Sequence, residues 1–205
     1  MKILAIGPHP DDIEIGCGGA LLIARDKKYD ISLLVMSQGQ AGGDFEKRIK
    51  EQEKVAKTLK AKLTWGGLID TRVELNRELI QILEREINKV NPDIIFAPYS
   101  NDTHQDHRNI STAVVTAARF HKNVLFYEVP SSIDFQPTVY VNITPVISRK
   151  FGLLRTHASQ VHKTKVPGLS ILKNAEANAI FRGVQNRVKY AEGFMPLRLE
   201  LAKFK

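Results

Sequence analysis

His9, Asp11, Asp12 and Glu14 crowd into one short stretch, Gly7-Pro8-His9-Pro10-Asp11-Asp12-Ile13-Glu14. An imidazole and carboxylates on a path stiffened by Pro8 and Pro10 have the makings of a metal site with a base beside it. The structural alternative is that Asp12 caps a following helix, with Asp11 and Glu14 near its positive end. A second cluster, His104-Gln105-Asp106-His107, tips the balance toward chemistry. Catalytic zinc takes three protein ligands and keeps one position open, and two histidines with one carboxylate is a known set. His9, Asp12 and His107 fit that count. Asp11 is close enough to take a proton from water while staying outside the coordination sphere. His104 is left to stabilise an oxyanion or protonate a leaving amine, with Asp106 near enough in sequence to orient its ring. The chemistry indicated is metal-assisted hydrolysis, with zinc expected and another divalent ion compatible.

These clusters meet only if the fold brings them together. Residues 2–6 read as a buried strand, Gly16 to about Lys27 as a helix, and residues 31–36 as a second buried strand. Asp44 to Leu59 has helical period, residues 63–65 form a short strand, and Glu74 to Val90 form an amphipathic helix. Residues 92–98 then give a fourth strand, followed by a polar loop from Tyr99 to Asp106. Strands alternating with helices argue for an α/β, Rossmann-like, mostly parallel sheet with helices on both faces. In the doubly wound order 3-2-1-4-5, strands one and four are neighbours at the switch point, so the loops carrying His9 and His107 face each other.

The second half is less regular. Residues 110–120 read as a helix, 123–128 and 138–143 as strands, 144–157 as a helix opened by Thr144 and Pro145, and 171–190 as another helix. The glycine-rich loop 37–43 at the sheet's carboxyl edge is either a substrate grip or a bare connector. Gly16, Gly18 and Gly19 suggest that Cys17 is a small packing residue at a tight turn. His121, His157 and His162 have no partner pattern and read as structural or surface residues.

The 205 residues suit one domain, 1–205, and a charged fraction of 25% is that of an ordinary globular protein. The net charge of +8 raises nucleic acid as a partner, but the basic residues are scattered among acids and no aromatics interleave with them. Nucleic acid is therefore not expected. No apolar run approaches the roughly 20 residues that cross a bilayer, so no membrane span is expected and the cytoplasm is the expected location. The single cysteine excludes an internal disulfide. Gly16-x-Gly18-Gly19 lacks the spacing of a dinucleotide fingerprint.

Pro8-His9-Pro10-Asp11-Asp12 followed by Gly16-Cys17-Gly18-Gly19, together with His104-x-Asp106-His107, resembles the PIG-L or LmbE-like zinc deacetylases. The resemblance extends to Arg48-x-x-Glu51, Asp70 and Tyr190-Ala191-Glu192-Gly193-Phe194. It implies removal of an acetyl group from an N-acetylglucosamine-type substrate, with His9, Asp12 and His107 as metal ligands. Asp11 would be the base, His104 the stabiliser of the tetrahedral intermediate with Asp106 behind it, and Arg48 and Asp70 substrate contacts. Arg48 and Glu51 also suit an exposed helical ion pair, and Asp70 the start of a turn. Two positions depart from the family pattern: Ile13 intervenes before Glu14, and Gln105 stands where proline is common. The partner expected is a small acetylated amino sugar, with a homo-oligomer compatible. The alternatives are an amidase acting on a thiol conjugate and a non-catalytic sugar- or nucleotide-binding module.

Overall fold

The structure, a computed structural model, describes residues 1–200. Its frame is a seven-stranded sheet. The first half alternates β1 (Lys2–Gly7), α1 (Asp12–Asp26), β2 (Asp30–Ser37), α2 (Phe45–Leu59), β3 (Lys62–Leu68), α3 (Arg77–Val90), β4 (Ile94–Pro98) and α4 (Gln105–Ala117). After β5 (Val124–Tyr127) come β6 (Val139–Asn142), α5 (Ile147–Thr156), α6 (Ile171–Gln185) and β7 (Ala191–Arg198). The strand order is β3-β2-β1-β4-β5-β7-β6, so the first five strands have the doubly wound order read from the sequence. They pair in parallel, and β7 lies antiparallel between β5 and β6.

Alternation along the strands explains why both faces carry helices. Ile3, Ala5, Leu33 and Val35 join one core with Leu21, Leu22 and Val55 of α1 and α2. Leu4, Ile6, Leu34 and Met36 join the other with Leu79 and Leu83 of α3 and Ile110 and Val114 of α4. Residues of both parities are buried, which is why these strands read as continuous apolar runs.

Several boundaries differ from the sequence reading. α1 starts at Asp12, four residues before Gly16, and runs through a kink at Cys17 (φ −138°, ψ 15°). Cys17 is a buried residue inside a helix and not part of a turn. The glycines beside it serve close approach: a Cβ at Gly16 would run into the Tyr127 ring. α4 begins at Gln105 and takes up residues read as loop, because Asp106 and His107 are buried in its first turn. α6 stops at Gln185, short of Tyr190.

β7 is the element the sequence reading missed. Gly193 and Pro196 interrupt it, and both residues weaken a strand signal. Pro196 is tolerated opposite Leu125, next to a register shift in the ladder with β5. Glu192 lies in this strand. Its carboxylate accepts the N–H groups of Gly19 at 2.7 Å and Ala20 at 2.8 Å, just past the kink in α1, and meets Lys150 Nζ at 2.6 Å. The kink frees those donors, and a buried acid from β7 satisfies them.

Candidate metal centre and active-site cleft

The parallel pairing of β1 with β4 sets their carboxyl-end loops side by side. Ser37 at the end of β2 ties the first loop down, its N–H and Oγ both donating to the Pro8 carbonyl at 3.0 and 3.1 Å. His107 arrives from the first turn of α4. His9 Nδ1 lies 3.1 Å from Asp12 Oδ2, His107 Nε2 lies 3.3 Å from the same oxygen, and the two ring nitrogens are 3.3 Å apart. Three ligand atoms set tetrahedrally around an ion at zinc distances would be roughly 3.4 Å from one another. The triangle therefore matches the donor set of one small divalent ion.

The outer nitrogens of both rings are engaged by carboxylates. His107 Nδ1 lies 3.2 Å from Asp102 Oδ2. His9 Nε2 lies 3.0 Å from Asp70 Oδ1 and 3.1 Å from Asp106 Oδ2. Carboxylates in these positions fix tautomer and ring orientation, leaving the inner lone pairs of His9 and His107 aimed at one point with Asp12. His9, Asp70, His104 and Asp106 form a second group of compatible donors. Asp106 there is already bonded to the backbone N–H groups of Thr71 at 2.8 Å and Val73 at 3.4 Å, which favours the first group.

Asp12, Asp70, Asp102 and Asp106 around two imidazoles make this a place for positive charge, carried by protons or by a metal ion. Burial opposes charge on His9, but hydrogen bonds to Asp106, Asp12 and Asp70 outweigh it and hold the ring's pKa well above its ordinary value. His107 is pushed up to about 9, again against burial, by Asp12 and Asp102. Burial would raise Asp12, yet His107 and His9 hold it well below the usual carboxylate range.

Asp11 behaves differently. Burial first, then repulsion from Asp12, push its carboxyl up to about 7, against the pull of His157, Arg48 and His9. It shares a cleft of ≈ 280 Å³ with Arg48, Asp70, His104, Ala41 and Gly42. His104 is held down by burial and by the neighbouring rings of His9 and His107. Its Nδ1 accepts the Asp106 N–H at 3.2 Å, which assigns the ring proton to Nε2. A larger cavity of ≈ 360 Å³, between α1, α6 and β7, contains none of these residues.

The sequence-derived site residues thus come together, with some partners exchanged. The carboxylate of Asp106 meets His9 and not the His104 ring, which is oriented by the Asp106 main chain instead. Asp70 is a second carboxylate on His9 as well as part of the cleft wall. Arg48 is buried and forms no exposed pair with Glu51. It donates to the carbonyls of Gly39 at 2.9 Å and Pro10 at 2.8 Å, whereas Glu51 accepts from Ser159. Asp102, unread in the polar loop, supports His107. The signal that could have found it is a short acid preceding a histidine by five positions in the same loop. His157 is buried against Glu14 at 3.0 Å, in keeping with a structural role.

No helix among the described residues is long and apolar enough to cross a membrane. A deacetylase of Escherichia coli, YaiS, itself uncharacterized, is 34% identical over 77% of this chain and 90% of its own length. The diacetylchitobiose deacetylase of Thermococcus kodakarensis is 28% identical over 95% of this chain and 83% of its own. Among solved structures, a conserved protein of Thermus thermophilus superposes with a TM-score of 0.87 at 25% identity, covering 99% of this chain and 98% of the other. The sequence model of PIG-L, described as GlcNAc-PI de-N-acetylase, matches residues 4–118, the part that carries both histidine clusters. With more than half its length under that model and its metal-type donors on the matched segment, the chain belongs to the PIG-L family.

Proposed function

We propose that this N-deacetylase holds zinc with His9, Asp12 and His107 and removes the acetyl group of an N-acetylglucosamine-type substrate. Its hydrolytic class follows from its family and its deacetylase relatives. The observation that carries the metal and its ligands is the triangle of donor atoms 3.1 to 3.3 Å apart, with carboxylates behind both rings. When bound, a divalent ion supplies Lewis acidity to the amide carbonyl and lowers the pKa of water.

The chain's own groups do the rest. Asp11, in the cleft with a pKa raised to about 7, takes the proton of the attacking water as its oxygen bonds to the acetyl carbon. His104 stays neutral and donates Nε2–H toward the developing oxyanion. As the carbon–nitrogen bond breaks, Asp11 returns the proton to the leaving nitrogen, so the products are acetate and the free amine. Arg48 and Asp70 orient the sugar from the cleft wall.

One domain over 1–205 belongs to the same reading, supported by a single sheet that draws strands from Lys2 to Arg198. The cytoplasm as location is tested by cell fractionation. The decisive experiment measures acetate and free amine released by zinc-loaded protein from N-acetylglucosamine, diacetylchitobiose and an acylated thiol conjugate. Release from the acetyl sugars, abolished by a chelator and restored by zinc, is expected. Turnover of the thiol conjugate alone would overturn the substrate assignment.

A further inference from the structure

The Pro10–Asp11 peptide is a strained point of the site. Asp11 has φ 99° and ψ −25°, a left-handed conformation in which a residue with a side chain is uncommon. Its own side chain caps nothing in α1, so local helix capping does not account for the conformation. Such a backbone persists where its surroundings over-determine it.

Two side chains of α2 are among those surroundings, beside the Ile15 N–H that donates to the Asp11 carbonyl at 2.9 Å. Arg48 Nη2 donates to the Pro10 carbonyl at 2.8 Å, and Gln52 Oε1 accepts the Asp11 N–H at 3.4 Å. Arg48 and Gln52 are four residues apart and so lie on one face of the helix. Between them they engage both polar groups of a single peptide plane. If that plane turned over, the Asp11 N–H would face a guanidinium and the Pro10 carbonyl would face an amide oxygen. Both contacts would set like partial charges together.

The bond to Gln52 is long, so what matters is that its amide cannot rotate away. Gln52 is wholly buried, and its Nε2 donates to Glu14 Oε1 at 3.0 Å. The other carboxylate oxygen of Glu14 is 3.0 Å from His157 Nε2. An amide wedged between an N–H and a carboxylate has only one orientation that satisfies both. Gln52 is not among the residues that form the cleft or the donor triangle.

We infer that Gln52 is a positioning residue for the reaction: fixed by Glu14 and His157, it holds the Asp11 N–H so that the strained Pro10–Asp11 peptide presents the Asp11 carboxylate to the cleft. The inference rests on the reading of Asp11 as the base. It goes beyond that reading by assigning a function to α2 that is distinct from substrate contact.

The test is Gln52→Met, which keeps the volume and removes both hydrogen bonds. Turnover of the acetyl sugar should fall about 10- to 100-fold, as when the supports of reacting groups are lost, with bound zinc undiminished. KM should stay within about twofold, because the contact acts on the transition state and not on substrate binding. A crystal structure of the variant should show Asp11 relaxed to negative φ. In an Asp11→Ala background the same substitution should lower the residual rate no further, since the group it positions is gone.

Unchanged kcat with Asp11 still at positive φ would overturn the inference, and so would a further loss in the Asp11→Ala background. If Gln52→Met does not fold, Gln52→Asn gives the same readouts. Its amide is one methylene too short to span Asp11 and Glu14. Full activity in Asp11→Ala alone would instead remove the reading of Asp11 as base. An inactive Asp11→Ala beside an unaffected Gln52→Met would remove only the positioning role.

Discussion

Asp106 Oδ2 lies 3.1 Å from His9 Nε2 and also accepts the Thr71 N–H at 2.8 Å. A carboxylate from the start of α4 is thereby locked to a backbone segment ahead of α3, and it fixes the ring of a histidine ninety-seven positions earlier. Its effect should therefore appear in metal affinity before it appears in acid–base chemistry. Asp106→Ala should weaken zinc binding about 10- to 100-fold in a chelator competition. His104→Ala should leave zinc affinity unchanged and slow turnover, as the loss of an oxyanion donor does. If the two variants behaved alike in the competition, Asp106 would have no special claim on His9.

His107 and Asp11 separate binding from chemistry in the same way. His107→Ala removes one corner of the donor triangle and should yield protein with little bound zinc by elemental analysis. Asp11→Ala should retain a full complement of zinc and lose on the order of 100-fold or more in kcat, the scale of general base catalysis. A metal-depleted Asp11→Ala protein would place Asp11 among the ligands.

The buried pair of Lys150 and Glu192 gives a prediction about stability. Both side chains are at most 4% exposed, and Glu192 also accepts the two backbone N–H groups at the α1 kink. Lys150→Met leaves a buried carboxylate without its cation and should cost about 3–5 kcal/mol in denaturant unfolding. Lys150→Met combined with Glu192→Gln removes the uncompensated charge and should recover part of that loss. Equal stability of the single variant and the wild type would show that the ammonium contributes nothing there.

His157 makes stability depend on pH. Burial lowers its pKa, but the hydrogen bond and charge of Glu14, with the charges of Asp11 and Glu51, outweigh this and raise it. A raised pKa in the folded state means the folded protein binds the proton more tightly than the unfolded chain does. The stabilisation is fully present below the unfolded value of about 6.5 and is lost as pH rises through the higher folded value. The stability difference between wild type and His157→Gln should therefore be largest near pH 6 and shrink as pH rises through that higher value. A difference that grew with pH would reverse the sign and refute the linkage.

The candidate site was legible where it is local. His9, Asp11 and Asp12 crowd into four positions, and His104 and His107 stand three positions apart, so residue type and spacing single them out. The buried strands were legible too, because a strand covered on both faces is apolar at every position, and the order of the first five follows from the doubly wound pattern. β7 was not, because Gly193 and Pro196 erase the signal that its antiparallel place between β5 and β6 makes tolerable.

What the tertiary structure alone decided is which group meets which. Asp70, Asp102 and Asp106 look alike in the sequence, yet two lie on His9 and one on His107. Arg48 reads from the sequence as a substrate contact or half of an exposed ion pair, yet it closes with Gln52 on the one peptide that leads into Asp11. Side-chain type is a property of one position. The partner of a buried polar group is set by where separate loops are brought to rest, and burial then makes that pairing obligatory.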